Sequence, residues 1–354
     1  MNQFLWVRRF LIRLFNWEYW PFNVVYAPML PYYLFLAAKA KSFFFFNTAN
    51  PLIKNGGFLL ESKKQIYDLL PNAYYPKTLL FVPDTRAEVV AEEAKKRGID
   101  FPFIAKPDIG QRGMMVKLVK NRKDLEDYLK NVAVDFLIQE YISYPHEIGI
   151  FYTRIPGEPQ GTITGIVGKE FLTITGDGIS SIKQLVMAEP RFLLQLEELQ
   201  KMYGASMDHI LAKGEQKLLV PYGNHSRGSK FVDFTSRADA QLRQSINAVC
   251  NSIPEFYFGR MDIKFNSWEE LRAGQQFSII ELNGAGSEPT HMYDPKHSIF
   301  YAWGEIIKHL DLLYTISMMN HQTKGLPFMS TRDGVAMLKE NSRQVALISN
   351  SKQA

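Results

Sequence analysis

Two stretches of the chain, FGRMDIKF (Phe258–Phe265) and IIELNGAGSE (Ile279–Glu288), decide the fold. Each opens with the alternation of a β-strand, in which every second side chain lies on the same face. The polar residues that share a face are Arg260, Asp262 and Lys264 in the first stretch and Glu281 and Asn283 in the second. If the two strands are adjacent, these polar groups converge at one place on a sheet.

Asp262, Glu281 and Asn283 form the first candidate site. Two carboxylates and a carboxamide oxygen are hard ligands of the kind that Mg²⁺ selects, and Mg²⁺ keeps its other positions for water and nucleotide phosphates. We therefore predict a Mg²⁺ site, which Mn²⁺ could also fill, with Arg260 facing a transferring phosphoryl group. The alternative is a ribbon with a solvent-exposed polar face, but the glycine-rich turn after Asn283 favours the metal site.

A second candidate site is FPFIAKPDIGQRGMMV (Phe101–Val116), in which an apolar strand ends at Lys106 and a loop with Gly110 and Gly113 follows. Glycines let backbone N–H groups approach phosphate oxygens, and a lysine on the preceding strand supplies positive charge to the same phosphates. No G-K-[ST] follows, so this is not a Walker loop. Taken alone, the pattern favours an ordinary hairpin.

A third segment, LIQEYISYPHEIG (Leu137–Gly149), ends a predicted strand at Glu140 and carries Glu147 beyond a turn. Free backbone groups at a strand end can pair with an adenine edge, and a carboxylate just beyond can hold ribose hydroxyls. Each glutamate by itself is typical of a surface residue or an ion pair. The interpretation therefore depends on the three segments together.

In this order, the three segments resemble the ATP-grasp superfamily, and most of all the branch that contains D-alanine–D-alanine ligase and the ATP-grasp half of cyanophycin synthetase. The resemblance covers about residues 61–295. It implies an α+β fold in which two α+β subdomains clamp ATP, with Mg²⁺ bridging its phosphates. It also implies an activity, in which a carboxylate is activated as an acyl phosphate and passed to an amine or a thiol.

The resemblance also implies roles for single residues. Lys64, in ESKKQIYDLLP, resembles the first ATP-contacting lysine because a proline follows twelve residues on, and Lys63 is the fallback. Lys106 resembles the second lysine, and the loop from Gly110 to Met114 resembles the glycine-rich lid over the phosphates. The remaining matches are Glu140, Tyr141 and Ile142 at the adenine-binding hinge, Glu147 at the ribose, Asp262, Glu281 and Asn283 at the metal, and Arg260 at the acyl phosphate.

Some segments depart from the D-alanine–D-alanine ligase pattern. GAGSEPTH (Gly284–His291) replaces the serine-rich segment that follows the metal asparagine in those ligases. TITGDGISSIKQLV (Thr173–Val186) is similar instead to cyanophycin synthetase and glutathione-synthetase-like ligases, which favours an amino-acid or peptide ligase. The loop GNHSRGSKFVD (Gly223–Asp233) carries Arg227, which we expect to hold a carboxylate or the γ-phosphate, the alternative being a basic surface loop.

The composition limits the class of protein. The chain has 354 residues, 46% of them hydrophobic, which suits a folded protein of two or three packed units. Its net charge of +5 suits polyanions in general, but the predicted partners are small carboxylate and amine substrates and not nucleic acid. The single cysteine, Cys250, excludes an intramolecular disulfide and a cysteine-based zinc site, in keeping with a reducing cytoplasm.

Residues 1–52 form a segment rich in aromatic residues, in which several bases accompany one acid, Glu18. Because Trp and Tyr favour the headgroup level and Arg and Lys attract anionic lipid, we expect residues 1–50 to contact a membrane surface, on its cytoplasmic side. The uncharged stretch Phe22–Ala38 is short and contains prolines, which argues against a transmembrane helix. The alternative is that these aromatic residues pack on the protein's own core or on the partner of a homodimer.

The predicted organisation is the aromatic segment 1–52, an ATP-grasp domain over 53–295 with a hinge near 140–147, and C-terminal helices and a tail over 296–354. In the last part, Ile299 to about Asn320 predicts an amphipathic helix, and a short helix and a polar tail follow Ser330. Two rival functions stay open. One is an ATP-grasp kinase that stops at a phosphoester, and the other is a non-catalytic, membrane-associated nucleotide-binding protein.

Overall fold

The computed structural model of the chain describes residues 3–111, 113–220 and 228–350. The α-helices of this part are α1 (Gln3–Phe15), α2 (Phe22–Tyr26), α3 (Leu30–Ala40), α4 (Lys63–Leu69), α5 (Ala87–Lys96), α6 (Arg122–Leu129), α7 (Ile182–Ala188), α8 (Pro190–Leu193), α9 (Leu196–Tyr203), α10 (Ala240–Asn251), α11 (Trp268–Arg272), α12 (Ile299–Lys324) and α13 (Thr331–Asn350). The strands are β1 (Thr78–Phe81), β2 (Phe103–Pro107), β3 (Lys117–Val119), β4 (Phe136–Glu140), β5 (His146–Thr153), β6 (Thr162–Glu170), β7 (Leu172–Thr175), β8 (Gln216–Val220), β9 (Lys230–Asp233), β10 (Phe258–Phe265) and β11 (Phe277–Asn283). The predicted α+β class is confirmed.

The chain divides into two compact units. The first comprises the described residues of Met1–Leu30, Val167–Phe234 and Thr290–Glu305. The second comprises those of Pro31–Ile166, Thr235–Pro289 and Ile306–Ala354. The boundary at Leu30 divides the aromatic N-terminal segment between the two units.

The second unit contains a sheet with the strand order β1-β4-β2-β3, in which every pair is antiparallel. Helices α5 and α6 cover this sheet, because their apolar sides are buried against the strands. Val90 of α5 and Leu125 of α6 belong to the same core as Phe103 of β2 and Phe136 of β4. The strand that carries Lys106 is therefore anchored in a core of its own.

A further sheet of the second unit has the order β11-β10-β5-β6 as far as Ile166. Strand β5 is missed by the sequence pattern because nearly all its residues are buried, so polar and apolar residues do not alternate. Helix α10 covers the face of β10 opposite to Asp262. There Cys250 Sγ lies 3.8 Å from Met261 Sδ, so the single cysteine is a core residue.

The aromatic run Phe43–Phe46 lies largely in a core of the second unit. Residues 44–46 pack against Leu313 and Ile316 of α12 and Met337 of α13. For this half of the N-terminal segment, packing on the protein's own core is confirmed. Among the described residues, no helix combines the length and apolar character that a membrane span requires.

The prediction of a short helix and a polar tail after Ser330 is wrong. Helix α12 contains the predicted amphipathic helix, but the short helix and polar tail expected after Ser330 are replaced by the 20 residues of α13. That helix is stabilised by tertiary contacts, since Gly334, Met337 and Ile348 are buried along it.

In the first unit, β7 and β8 form an antiparallel ribbon that packs on α7 and α9. The segment after α7 forms two helices, α8 and α9, with a break between Leu193 and Leu196. Arg191 of α8 is buried, and its Nη2 donates to Glu18 Oε2 at 2.5 Å. This buried ion pair attaches the N-terminal segment to the first unit.

Candidate functional site

The predicted metal residues lie on two paired strands. In the antiparallel ladder of β10 and β11, Asp262 lies opposite Glu281 and Arg260 lies opposite Asn283. Directly opposite residues of an antiparallel pair share a face. The structure therefore brings these four side chains to one face of one sheet.

An irregularity in this ladder makes one backbone carbonyl, that of Ile280, available to donors outside the ladder. The register shifts between Asp262 and Ile263, which leaves Ile280 without a partner residue in β10. A residue in such a bulge is free of the ladder, so its backbone carbonyl can accept other donors. The carbonyl of Ile280 accepts hydrogen bonds from the Tyr67 hydroxyl and from Lys106 Nζ, the latter at 3.1 Å.

Lys106, from the four-stranded sheet, has its ammonium group buried at this point. Besides the Ile280 carbonyl, Nζ donates to Gln139 Oε1 at 2.9 Å and to the Tyr67 hydroxyl at 3.0 Å, and the residue is 7% exposed. Burial lowers the pKa of Lys106 to about 8, although the negative charges of Glu281 and Asp108 favour the ammonium form. The group is therefore charged at neutral pH but can lose its proton in mildly alkaline solution.

The lysine pair at the start of α4 separates into two environments. Lys63 Nζ donates to the carbonyl of Gly110 at 2.7 Å and lies 3.8 Å from Glu281 Oε1. Lys64 Nζ instead donates to Asp68, one turn further along α4. The fallback residue of the sequence analysis, Lys63, is thus the one that lies beside the carboxylate pair.

Asp108 is a site residue that sequence reasoning missed. Its carboxylate Oδ1 accepts from the backbone N–H of Lys64 at 2.8 Å, and its carbonyl accepts from the backbone and side chain of Lys63 at 3.3 Å. These bonds join the start of the glycine loop to the start of α4. Gly113 has a φ of +67°, a conformation that favours glycine, while Arg112 lies outside the described residues.

Arg260 and Asp262 form a buried ion pair. Arg260 Nε donates to Asp262 Oδ1 at 3.0 Å and Nη2 donates to Oδ2 at 3.3 Å, while Nη1 donates to the Glu288 carbonyl at 3.4 Å. Burial by itself lowers the pKa of Arg260, but the charge and hydrogen bonds of Asp262, together with the charges of Glu281 and Glu288, outweigh it and the pKa is raised. The guanidinium therefore stays charged, with its orientation fixed by Asp262.

The donor set on this face fits a hard divalent cation. Asp262 and Glu281 supply carboxylate oxygens and Asn283 supplies an amide oxygen, a set that suits Mg²⁺ and not a soft metal. Within the described part of the chain, no group of three His, Cys, Asp or Glu side chains is arranged to hold a metal ion. The amide of Asn283 would therefore be needed as the third protein donor.

Glu61 is another carboxyl group that the sequence analysis did not single out. Its Oε2 is buried without a hydrogen-bond partner in the structure. Burial raises the pKa of Glu61; its own backbone N–H and the charge of Lys63 act in the opposite direction, whereas Glu281 adds to the rise. Glu61 thus adds a third carboxyl group to the surroundings of Lys63 and Glu281.

The predicted hinge lies between β4 and β5. Glu140 is held by Lys77, whose backbone N–H donates to Oε2 at 3.3 Å and whose carbonyl accepts from the Glu140 N–H at 2.9 Å. Tyr141 and Ile142 follow in the connection between the strands, and Lys264 Nζ lies 5.6 Å from the Tyr141 ring centre. Glu147 is buried on β5, opposite Lys264.

The loop after Asn283 is clamped by backbone hydrogen bonds to residues 56 and 57. The backbone N–H groups of Ala285 and Gly286 donate to the carbonyls of Gly56 and Gly57 at 3.0 and 2.9 Å. A Cβ on Gly57 would lie 2.6 Å from the Gly284 Cα, so this approach requires glycine.

Asn50 completes this clamp. Its amide nitrogen donates to the carbonyls of Gly56 and Phe258, and its amide oxygen accepts from the N–H groups of Tyr257 and Phe258, all at 2.8 to 3.0 Å. Asn50 is 0% exposed. One buried side chain therefore ties the 50–57 segment to the first residues of β10.

The remaining predicted site residue, Arg227, lies outside the described residues. In the first unit, Lys230 Nζ lies 3.3 Å from Glu170 Oε2, and His291, which is buried, has its Nε2 3.1 Å from Glu305 Oε2. Lys230 and His291 each lie next to a carboxylate of the first unit.

No protein-family model matches the chain, and no curated protein sequence is detectably similar to it. Among solved structures, the chain is similar to one synthetase and two ligases. A bifunctional glutathione synthetase from Pasteurella multocida is 15% identical, with a TM-score of 0.38, over 66% of this chain and 34% of that one. A D-Ala:D-Ser ligase from Enterococcus faecalis is 15% identical, with a TM-score of 0.41, over 72% of this chain and 61% of that one.

The third structure, a D-alanine–D-alanine ligase from Bacillus anthracis, is 13% identical, with a TM-score of 0.41, over 74% of this chain and 68% of that one. The chain thus spans about a third of the length of the glutathione synthetase and about two thirds of the lengths of the other two.

Proposed function

We propose that the chain is an ATP- and Mg²⁺-dependent ligase that activates a carboxylate as an acyl phosphate and joins it to an amine or a thiol. The observation that carries the proposal is the contact between Lys106 and strand β11, which pairs with β10 and carries the predicted metal residues Glu281 and Asn283. The Lys106 ammonium contacts the carbonyl of Ile280, the residue before Glu281, although Lys106 and Ile280 are 174 positions apart. Lysine charge and carboxylate oxygens at one place suit a nucleotide phosphate that is bound both directly and through a cation.

We assign Lys106 and Lys63 to the phosphates of ATP. Both ammonium groups lie in the electrostatic neighbourhood of Glu281, and Lys63 also contacts the carbonyl of Gly110 in the glycine loop. Lys64 is the less suitable of the α4 lysines because its ammonium is engaged by Asp68. The glycine loop would then supply backbone N–H groups to the same phosphates.

Asp262, Glu281 and Asn283 would hold the metal ion. When bound, Mg²⁺ would neutralise charge on the phosphate oxygens during transfer. Arg260, oriented by Asp262, would face the phosphoryl group as it passes to the substrate carboxylate, where a fixed guanidinium stabilises developing charge. Little covalent chemistry is required of the protein, since phosphoryl transfer depends mainly on positioning and charge.

The hinge residues would hold the nucleoside. The carboxylate of Glu140 is engaged by Lys77, so the backbone of Tyr141 and Ile142 is the part of the hinge suited to an adenine edge. Glu147 would accept from the ribose hydroxyls. Arg227 keeps its predicted role at the carboxylate or the γ-phosphate.

The decisive experiment measures ADP and inorganic phosphate release with Mg²⁺-ATP over panels of amino acids, fatty acids and amines. A ligase releases inorganic phosphate only when both a carboxylate and a nucleophile are present. The Glu281→Gln variant, which loses one metal carboxylate, should lower kcat roughly 100-fold or more. A stable phosphoester formed without inorganic phosphate would identify a kinase and contradict the proposal.

The two neighbouring lysines provide a matched pair of variants. Lys63→Met should weaken ATP binding by about tenfold to a hundredfold, because a charge-assisted hydrogen bond contributes about 1.5–3 kcal/mol. Lys64→Met should change the affinity by less than about twofold, since an exposed ion pair contributes little. Isothermal titration of ATP with Mg²⁺ gives both values, and the reverse order would return the role to Lys64.

A further inference from the structure

Helix α1 presents its apolar residues outward. Taken at 3.6 residues per turn, six of its apolar side chains fall within about half of the helix circumference. These residues, here called the α1 apolar face, are Trp6, Val7, Phe10, Leu11, Leu14 and Phe15. All six are exposed, with values from 42% at Val7 to 78% at Phe15.

The opposite side of α1 attaches the helix to the first unit. Arg8 Nη1 donates to the Met187 carbonyl at the end of α7 at 3.0 Å, and Arg9 Nη1 donates to Glu197 of α9. A surface helix of a globular protein has the reverse arrangement, with its apolar side on the core and its charges in water. The orientation of α1 is therefore fixed by contacts that leave the apolar face uncovered by the first unit.

The charges around this face favour one kind of occupant. The stretch Met1–Leu30 contains three arginines and one acid, Glu18, which is buried against Arg191. Arg13 is exposed at the border of the apolar face. An isologous contact between two copies would place this cationic segment against itself, because a twofold interface uses the same patch twice. An anionic lipid surface complements both its apolar and its cationic character.

We propose that α1 lies flat on an anionic lipid bilayer, with the α1 apolar face inserted at the headgroup level and Arg13 beside the lipid phosphates. Trp6 and Phe10, whose rings stack at 5.7 Å, form the aromatic part of this contact. The adjoining helix α2 adds the exposed side chains of Phe22 and Val24. The surface does not depend on the ligase activity, because it shares no residue with the proposed ATP site.

The test uses the full chain and co-sedimentation with vesicles of equal parts phosphatidylcholine and phosphatidylglycerol, or of phosphatidylcholine alone. The wild type should bind the anionic vesicles more tightly, and added salt should weaken the binding. The double variant Phe10→Glu/Leu14→Glu should lose about tenfold or more of the partition coefficient. Ile179→Glu is the matched control, because Ile179 is 80% exposed in the same unit and does not belong to α1 or α2.

Three outcomes would overturn the proposal. The first is a wild type that sediments with neither vesicle, and the second is a double variant that binds the anionic vesicles as well as Ile179→Glu does. The third is a wild-type dimer, found by light scattering, that the double variant dissociates while neither protein binds vesicles, because a second copy would then cover the face. Circular dichroism melting confirms that the variants are folded.

Discussion

The two halves of the aromatic N-terminal segment have similar compositions and opposite environments. Residues 44–46 are covered by α12 and α13 of the second unit, and Asn50 joins the segment after them to β10. Helix α1 directs its aromatic side chains Trp6, Phe10 and Phe15 to solvent, and its Arg8 and Arg9 to the first unit. The composition predicts that these aromatic side chains are buried against something. Only the tertiary structure shows what each half of the segment packs against.

The largest effect is expected from the buried half. Phe45 is 0% exposed and its ring lies 5.6 Å from that of Tyr33 and 5.7 Å from that of Tyr314. Phe45→Ala should lower the free energy of unfolding by about 3–5 kcal/mol, because the cavity in this core cannot fully close. Urea denaturation measures the change, and a loss below about 1 kcal/mol would place this half on the surface.

The attachment of the other half depends on Glu18. Arg191→Ala leaves the Glu18 carboxylate buried without its partner, which should destabilise the protein by about 3 kcal/mol. The double variant Glu18→Gln/Arg191→Met removes both charges and should recover part of this loss. Thermal denaturation compares the two. Equal melting temperatures for Arg191→Ala and wild type would mean that the N-terminal helices are not held by this pair.

Asn50 links the buried half to the site. Asn50→Ala removes four hydrogen bonds and leaves buried backbone groups unpaired, so the loss in unfolding free energy should be about 2–3 kcal/mol. Because the clamp supports the loop after Asn283, the variant should also need more Mg²⁺ for half-maximal activity. Asn72→Ala, at an exposed position, is the control. Unchanged Mg²⁺ dependence in a destabilised Asn50→Ala would limit Asn50 to a structural role.

The pH dependence of ATP binding tests the proposed role of Lys106, which is not part of the Asn50 clamp. Since burial lowers its pKa to about 8, ATP affinity should fall as pH rises through that value, by up to about tenfold per pH unit. Lys106→Arg keeps its charge, so its ATP affinity should not fall in this way as pH rises. Asn50→Ala retains Lys106, so its ATP affinity should fall with pH as in the wild type. Titration calorimetry from neutral to alkaline pH gives the profiles.

The lowered pKa of Lys106 also affects the stability of the unliganded protein. Over the pH range in which ATP affinity should fall, this stability should rise with pH. Between about 8 and the ordinary value of 10.5, the unfolded lysine binds a proton that the folded one does not. The contribution of Lys106 to stability therefore rises with pH across this window, and below it the penalty for burying the charge is fully present. A flat difference in stability between wild type and Lys106→Met over this range would contradict the shift.

The smallest effect is expected on the exposed half. Phe10→Ala should change the free energy of unfolding by no more than about 0.5 kcal/mol, since the side chain contacts solvent in the isolated protein. The same denaturation experiment as for Phe45→Ala measures it. A loss comparable to that of Phe45→Ala would mean that α1 is covered in solution.

The sequence by itself determined the α+β class and the shared faces of Arg260, Asp262, Glu281 and Asn283. It could do so because strand geometry is local, and a period of two residues fixes the face of every side chain. It also indicated that Lys106 lies near a strand end. It did not predict β5, because a strand buried on both faces has no alternation.

Only the tertiary structure decided how these parts meet. The bulge at Ile280, its contact with Lys106 across 174 residues, and the choice of Lys63 over Lys64 depend on how one sheet is placed against another. The same holds for the Asn50 clamp and for the outward apolar side of α1. Such contacts join residues far apart in sequence, and their formation depends on packing, which no local pattern encodes.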